Sequence, residues 1–181
     1  MVPTSVVAAD FNGDGRPDIA VADYGSNTVT LLLNGGGGTF TPSSFATGTQ
    51  PRALAVGDFN GDGRPDLAVA NQGDNNVGVL IDSGTGFAAP VSYAVGQTPL
   101  GIAAGDVNCD GRPDLVTANQ IGGSVSVLVN QGAGVFAAAI TEQAGANPID
   151  VALGDLDGDG LDDLVVANNT AGVSVLLNTS H

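Results

Sequence analysis

The sequence predicts an all-β protein, a β-propeller of four-stranded antiparallel blades, from three observations. An acidic segment recurs four times along the 181 residues, and successive segments start 48, 48 and 49 residues apart. Short runs rich in Val, Leu and Ile lie between these segments and are bounded by Gly, Asn and Asp, which is typical of β-strands. No stretch carries a capped apolar stripe of helical length. About four strands in each repeat of this length is the spacing of a propeller blade.

The elements of the first repeat follow in a fixed order. A strand at residues 6–9 leads into the acidic segment, a second strand lies at 19–22, and a Gly- and Asn-rich turn precedes a third at 29–33. A weaker fourth strand starts near a phased aromatic residue and runs toward the next repeat. We expect these phased aromatics to pack between blades, and those within the first two acidic segments to anchor the segments to the core. The two sets are Phe40, Phe87 and Phe136, and Phe11 and Phe59.

The repeats account for the whole chain as one domain, residues 1–181, with blades at about 3–50, 51–98, 99–147 and 148–181. The fourth repeat stops after its third strand, so the last blade is predicted to lack its outer strand. Four arrangements stay open: a segment of a longer propeller, a closed four-bladed ring with one incomplete blade, an open arc, or two copies that complete a ring. Terminal blades expose strand edges that invite association. A homo-oligomer or a truncated chain is therefore favoured.

The composition excludes several classes of partner. The chain has 19 acidic residues against four Arg and no Lys, for a formal charge of −15. Nucleic-acid binding and docking on anionic lipid both require cationic side chains, so neither is expected. No apolar run approaches the roughly 18 residues of a membrane span, so membrane insertion is not expected either. Cys109 is single, which excludes a disulfide framework, and the first residues do not resemble a signal peptide.

Most of the acidic residues occupy one motif. Thirteen of the 19 stand at positions 1, 3, 5 or 9 of the pattern D-x-[DN]-x-D-G-x-x-D. Side chains at positions 1, 3 and 5 can converge on one point when the loop curls, and Gly at position 6 permits the positive φ that this needs. The backbone carbonyl at position 7 and the carboxylate at position 9 can complete a cage of oxygen atoms. Such a cage suits Ca²⁺ better than Mg²⁺, and no shared His or Cys favours zinc.

About four Ca²⁺ ions are predicted, one for each loop, and four copies in register disfavour ordinary solvated turns. An EF-hand is excluded because position 12 lacks its Glu and the flanks are strands. The Arg side chains at position 7 are expected to ease the charge of the loop. The predicted ligands, with position 7 acting through its carbonyl, are Asp10, Asn12, Asp14, Arg16 and Asp18; Asp58, Asn60, Asp62, Arg64 and Asp66; Asp106, Asn108, Asp110, Arg112 and Asp114; and Asp155, Asp157, Asp159, Leu161 and Asp163.

These loops resemble the FG-GAP/VCBS repeat, the calcium-loop blade of integrin α-subunit propellers and many bacterial extracellular proteins. The downstream pattern Leu/Ile-x-Val-Ala-Asn/Asp, as in residues 67–71, and the phased Phe and Pro residues also carry the resemblance, which covers essentially the whole chain. It implies that the loop between the first two strands binds Ca²⁺ and that the protein is extracellular or at the cell surface. It also implies ligand binding on the opposite face, at turns that include Asp23-Tyr24, Asn71-Gln72, Asn119-Gln120 and Asn168-Asn169.

The sequence therefore predicts a calcium-binding extracellular propeller module for adhesion or ligand recognition, with a protein or glycan as the ligand. Catalysis is not expected, because the only His is His181 and the well-placed carboxylates all belong to predicted metal loops. Two other roles stay open: an architectural segment of a larger propeller, and an accessory domain of a polysaccharide-active enzyme.

Overall fold

The fold is all-β in the computed structural model, which describes residues 2–170 and 172–179. Fifteen strands form four antiparallel sheets, three of four strands and one of three, and the described residues include no helix. Accordingly, none of the described segments is a helix long and apolar enough to cross a membrane. The predicted fold class is confirmed: four propeller blades, the last lacking its outer strand.

Each blade contains consecutive strands of the chain, paired in chain order. The acidic loop always joins the first strand to the second. The first blade contains β1 (Pro3–Ala9), β2 (Asp18–Asp23), β3 (Thr28–Gly36) and β4 (Thr39–Ala46). The second contains β5 (Pro51–Gly57), β6 (Asp66–Asn71), β7 (Asn76–Leu80) and β8 (Val91–Ala94). The third contains β9 (Pro99–Gly105), β10 (Asp114–Asn119), β11 (Ser124–Leu128) and β12 (Ile140–Gln143), and the fourth β13 (Pro148–Gly154), β14 (Asp163–Asn168) and β15 (Gly172–Leu176).

The blades are arranged as an open arc. Their first strands contact one another in sequence, β1 with β5, β5 with β9 and β9 with β13. No comparable contact joins β13 back to β1 within the described residues. The outward faces of the first and fourth blades are exposed as well, as at Val6 and Val173. Of the arrangements that the sequence left open, closure of the four blades into one ring is thus not the one observed within this chain.

Burial of the second strands shows how the blades are held together. Every residue of β6 and of β10 is buried, because a neighbouring blade covers each face of the sheet. In β6, Leu67 and Val69 pack with the first blade, whereas Ala68 and Ala70 pack with the third. This two-sided burial explains why the second strands are nearly continuous apolar runs without the alternation of a half-exposed strand.

Aromatic side chains fill the space between blades. Phe87 meets Phe11 and Phe45 edge to face, at 5.5 and 5.2 Å between ring centroids, and Phe136 meets Phe59 at 5.6 Å. Phe11 and Phe59 are almost fully buried, so the prediction that they anchor their loops is confirmed. The packing prediction was right for Phe87 and Phe136. It was wrong for Phe40, which is 43% exposed because none of the described blades packs against this side of the first blade.

The start of the fourth strand was also misplaced in two blades. Strand β8 begins at Val91 and β12 at Ile140, four residues beyond the aromatic residue in each case. Phe87 and Phe136 instead form isolated bridges with Asp82 and Asn130. Their rings are directed into the space between blades, and the chain reaches the edge of the sheet only after that contact has been made.

Replacing Phe59 with Ala is expected to lower the free energy of unfolding by about 3–5 kcal/mol, because it removes a ring that is 1% exposed and leaves a cavity between the second and third blades. Replacing Ile121 with Ala is the control, since this side chain is 68% exposed and its loss should change stability by less than about 0.5 kcal/mol. Urea denaturation of the two variants measures the difference. Equal losses would contradict the interblade role of Phe59.

Candidate metal centres

The four acidic loops share a backbone conformation that the sequence only partly revealed. Position 6 is Gly throughout, with φ of +82°, +83°, +81° and +87°, as predicted. A Cβ atom at Gly15 or Gly63 would meet nothing within 4 Å, so the positive φ and not lack of space requires glycine. Position 4 is also left-handed, including Cys109 at φ +58°. The other three loops have Gly at this position, and this recurrence could have predicted the left-handed backbone. Cys109 adopts the same conformation at an energetic cost, because residues with a side chain disfavour positive φ.

Backbone N–H groups inside each loop draw the side chains of positions 1, 3 and 5 together. In the first loop, Oδ2 of Asp10 accepts the N–H of Gly15 at 2.7 Å, and Oδ1 of Asn12 accepts that of Asp14 at 3.0 Å. Oδ1 of Asp14 in turn accepts the N–H of Arg16 at 2.9 Å. The same three hydrogen bonds recur in the other loops. Each loop therefore gathers carboxylate and amide oxygens on its inner side.

The fourth loop has the densest group of carboxylates. Asp155, Asp157 and Asp159 each offer an oxygen within 4.8 Å of the others, and all three residues are exposed. No other such group of three occurs in residues 2–170 and 172–179. Two carboxylates about 4 Å apart repel by roughly 1 kcal/mol in water and roughly 4 kcal/mol at an effective dielectric constant of 20. An exclusively oxygen donor set of this charge fits Ca²⁺, a hard divalent cation.

In the first three loops an arginine contacts one of the predicted ligands. The guanidinium groups of Arg16, Arg64 and Arg112 lie 2.5 Å from Oδ2 of the aspartate at position 5. These ion pairs are substantially exposed, so they add little to stability. They do, however, occupy an oxygen that a metal ion would need. The fourth loop has Leu161 at this position and so has no competing cation there.

These arginines are also tied to the third strand of their own blade. Nε of Arg16 donates to the carbonyl of Asn34 at 3.0 Å, and Nε of Arg112 donates to that of Asn130 at 3.1 Å. The expectation that the arginines ease the charge of the loop is consistent with their ion pairs. Their link to the third strand was not foreseen.

The carboxylate at position 9 is fully buried in all four loops. Oδ2 of Asp18 accepts the N–H of Phe11 at 2.9 Å, and Oδ1 accepts the N–H of Asn34 at 2.7 Å. The other loops repeat both bonds, and the donors beyond the third strand are Asp82, Asn130 and Asn178. This group therefore fastens the loop to the sheet. Because each oxygen keeps a second lone pair, its role as a metal ligand stays a prediction.

Sequence reasoning missed the polar residue at the end of the third strand. Asn34, Asp82 and Asn130 each follow the position-9 aspartate by 16 residues, and Asn178 follows it by 15. Each donates its backbone N–H to that aspartate. Their regular spacing after the third apolar run was the signal that could have found them.

The surroundings of the position-9 carboxylates change their pKa values in different directions. Burial raises the pKa of Asp66 from 3.8 to about 6 and also raises the pKa of Asp114. The N–H groups of Asn178 and Leu156 lower the pKa of Asp163. The contrast accompanies position in the arc: Phe59 and Val107, in the loops of Asp66 and Asp114, are buried against a further blade, whereas Leu156 in the loop of Asp163 is 54% exposed and none of the described blades packs on its outer side.

Each predicted turn on the face opposite the acidic loops contains a buried residue followed by one that is less buried. The first residue of each predicted pair is buried: Asn119 Nδ2 donates to Ser126 Oγ at 2.9 Å, and Asn168 Nδ2 donates to Ser174 Oγ at 2.8 Å. These asparagines stabilise the turns. The residues that follow two of them, Gln120 and Asn169, line an open cavity at the centre of the arc.

This axial cavity has a volume of about 580 Å³ and lies where the first strands begin. Its lining includes Thr4 from β1, Arg52 from β5, Leu100 from β9 and Asp150 from β13. Arg52 is the only arginine outside the acidic loops. It is exposed, and the described residues provide it with no hydrogen bond or ion pair. The cavity thus combines an unpaired cation with hydroxyl, amide and apolar groups.

The raised pKa of Asp66 predicts how stability depends on pH when metal is removed by a chelator. The folded protein retains this proton up to about pH 6, whereas the unfolded chain releases it near 3.8, so folding becomes less favourable as pH rises through this interval. Burial of Asp114 acts in the same direction. We expect Tm in EDTA to rise when pH is lowered from 7 to 5.5. Thermal melts across this range measure it, and a steady fall in Tm would contradict the prediction.

Comparison with known proteins places these features in a family. The model of the FG-GAP-like repeat family matches residues 10–69, 58–117 and 110–166. No curated protein matches the chain. Among solved structures, the chain is similar to an Agrocybe aegerita lectin that specifically recognises non-reducing terminal N-acetylglucosamine. The identity is 25% and the TM-score 0.63, over 96% of this chain and 48% of the lectin chain.

Two further structures resemble the chain at the level of the fold. BBS1N, solved in complex with ARL6DN, is 16% identical with a TM-score of 0.69, over 99% of this chain and 55% of that one. The V. cholerae biofilm matrix protein Bap1 is 20% identical with a TM-score of 0.58, over 92% and 24%. The chain spans about half the length of the lectin and of BBS1N. The family match covers most of the chain and agrees with the blade architecture, and the protein belongs to the FG-GAP-like repeat family.

Proposed function

We propose that the chain is a calcium-stabilised propeller module that recognises a ligand outside the cell. The observation that carries the proposal is the recurrence of one loop conformation four times, each time with the oxygens of positions 1, 3 and 5 drawn to the inner side of the loop. Four bound Ca²⁺ ions would change the formal charge from −15 to −7, which is within the usual range for a small soluble domain.

The proposed ligands are the side chains at positions 1, 3 and 5, with the carbonyl at position 7 and the buried carboxylate at position 9. Calcium would supply the positive charge that these groups otherwise lack. Since the loop joins the first strand to the second, and position 9 reaches the end of the third, metal binding would stabilise the inner part of every blade. Millimolar extracellular calcium could fill even weak sites of this kind, which supports a location outside the cell.

The four sites should differ in affinity. The fourth loop has Asp157 where the first three have Asn, and it lacks the arginine that pairs with position 5. In the other loops calcium must displace a guanidinium group. We therefore propose that the fourth loop binds calcium first.

Calcium titration by calorimetry tests this proposal, with about four ions per chain expected and the fourth loop filled first. Replacing Leu161 with Arg introduces the competing cation and should weaken the tightest site roughly tenfold, whereas Leu161 to Met should leave it unchanged. Removal of calcium should lower Tm, because a ligand at a hundredfold excess over its Kd adds about 2.7 kcal/mol per site. Identical melting curves in calcium and in EDTA, with no heat of binding, would refute the proposal.

We propose the axial cavity as the recognition site and a glycan as its ligand. Hydroxyl, amide and carboxylate groups at Thr4, Gln120, Asn169 and Asp150 suit sugar hydroxyls, while Leu100 offers an apolar surface. The 25% identity with a lectin supports this ligand class. Arg52 would favour a sugar that carries a carboxylate, since arginine pairs with carboxylates through charge-assisted hydrogen bonds.

A glycan array probed in calcium, with acidic and neutral sugars side by side, tests this assignment. Replacing Arg52 with Ala should weaken binding to an acidic glycan roughly tenfold, the equivalent of about 1.4 kcal/mol. Replacing Gln72 with Ala should have no effect, because this residue follows Asn71 as Gln120 follows Asn119 but does not line the cavity. Binding that survives the Arg52 replacement unchanged would place recognition elsewhere.

The second candidate is an architectural role, either within a larger propeller or as an accessory domain of a polysaccharide-active enzyme. It is favoured by the short fourth blade and by the match to about half of two longer chains. An array without hits, from protein that binds calcium normally, would support it. In both cases we propose that the chain acts by binding and not by catalysis. Hydrolysis or cleavage of uronate polymers by the isolated chain would contradict that view.

A further inference from the structure

The first blade, at one end of the arc, exposes a position of its first strand that is buried at every internal interface between blades. Val6 in β1 is 66% exposed. The residues at the same place in the later blades, Leu54, Ile102 and Val151, are 7%, 8% and 6% exposed, because each packs against the preceding blade. Phe40 shows the same contrast: it is 43% exposed, whereas Phe87 is 8% exposed. We call the surface formed by Val6, Leu32, Asn34 and Phe40 the leading face.

The fourth blade, at the other end of the arc, exposes the side that in the first three blades packs against the following blade. Leu156, at position 2 of the fourth loop, is 54% exposed, whereas Phe11, Phe59 and Val107 are 3%, 1% and 8% exposed. Val173 in β15 is 66% exposed, although its counterparts in the first three blades are fully buried. Val175 and Leu177 are each 53% exposed. These four apolar residues form what we call the trailing face.

A hydrogen bond found at the last two internal interfaces also lacks its counterpart at the leading face; at the first internal interface the position is Asp82, whose carboxylate cannot donate. Nδ2 of Asn130 donates to Phe59 O of the preceding blade at 3.0 Å and to Pro113 O of its own blade at 3.0 Å. Asn178 repeats both contacts with Val107 O and Asp162 O.

Asn34 occupies the same position in the first blade. Its Nδ2 donates to Pro17 O of its own blade at 3.1 Å. The amide carries two protons, so one can be donated to a preceding blade. The carbonyl that corresponds to Phe59 O and Val107 O at the trailing face is that of Leu156.

We propose that the leading face of one chain docks on the trailing face of a second copy, so that two chains close a ring of eight blades. The occupant is a second copy because the two faces carry the same positions as the internal interfaces, one half on each end of the chain. In a pair with twofold symmetry both faces of both copies are used, so neither end face stays exposed. The lectin chain and BBS1N, each about twice as long as the matched region, have the size of such a pair.

Sedimentation equilibrium in calcium tests the proposal, and the expected mass is twice 17.7 kDa. Replacing Val6 with Asp or Val173 with Asp should each weaken association at least a hundredfold, because a carboxylate would be buried at the contact. Replacing Ile121 with Asp is the matched control, since its side chain is 68% exposed but lies on neither face. All three positions are exposed in the single chain, so circular dichroism and Tm in dilute solution should show that the variants fold.

Mixing the Val6 and Val173 variants separates this geometry from other dimers. The Val6 variant has an unaltered trailing face, and the Val173 variant has an unaltered leading face. These two faces can still dock in the mixture, so mixed pairs should form at concentrations where neither variant pairs alone. A wild-type monomer at every concentration, a mass that keeps growing with concentration, or no mixed pairs would each overturn the proposal. Calcium titration of the same samples keeps this outcome separate from the metal assignment.

Discussion

One carboxylate in each blade, at position 9 of the acidic loop, joins three parts of the chain. It is fully buried and accepts one backbone N–H from the loop and another from the end of the third strand. Burying a charge costs free energy unless it is hydrogen bonded. At Asp66 the two N–H donors offset only part of that cost, and burial raises its pKa to about 6, whereas at Asp163 the equivalent donors lower the pKa. A cation held by positions 1, 3 and 5 beside this group would offset the rest, which is why we regard the loop and the sheet as a single unit.

The differences between the four loops follow from the same electrostatic constraint. In the first three, an amide at position 3 and an arginine at position 7 reduce the negative charge, and the guanidinium already contacts position 5. In the fourth, a third carboxylate replaces the amide and a leucine replaces the arginine, so three carboxylates converge without a compensating cation among the described residues. The chain thus contains three loops that are partly neutralised by their own side chains and one that has no neutralising side chain among the described residues.

The sequence predicted the repeat, the strands within each blade and the loop between the first two strands, because each depends on local spacing. Gly15 and its counterparts specify a positive φ directly, and the apolar runs specify strands. Within a single blade nothing links Asp18 to its partner, since Asn34 N lies 16 residues away and meets the carboxylate only after the third strand has paired; only the recurrence of a polar residue at this spacing in the other blades pointed to it. The exposure of Phe40 was missed for a related reason: its motif is the same as that of Phe87, but its burial depends on whether a blade precedes it.

The interface between the third and fourth blades shows how much the aromatic residues of the outer segments contribute. Opposite Val29 and Val77 of the third strands, the outer strands place Phe45 and Tyr93, and each of these rings meets an aromatic ring of the next blade. Opposite Val125 stands Glu142.

The described part of the fourth blade supplies no ring equivalent to Phe136. As a result, a cavity of about 310 Å³ lined by Val125, Val127 and Leu176 remains between the last two blades. The strand ladders alone therefore do not fill the space between blades. Close packing also requires the aromatic residues with which the outer segments contact the adjacent blade. These residues are missing at the interface between the third and fourth blades, so it should be the least stable of the three interfaces.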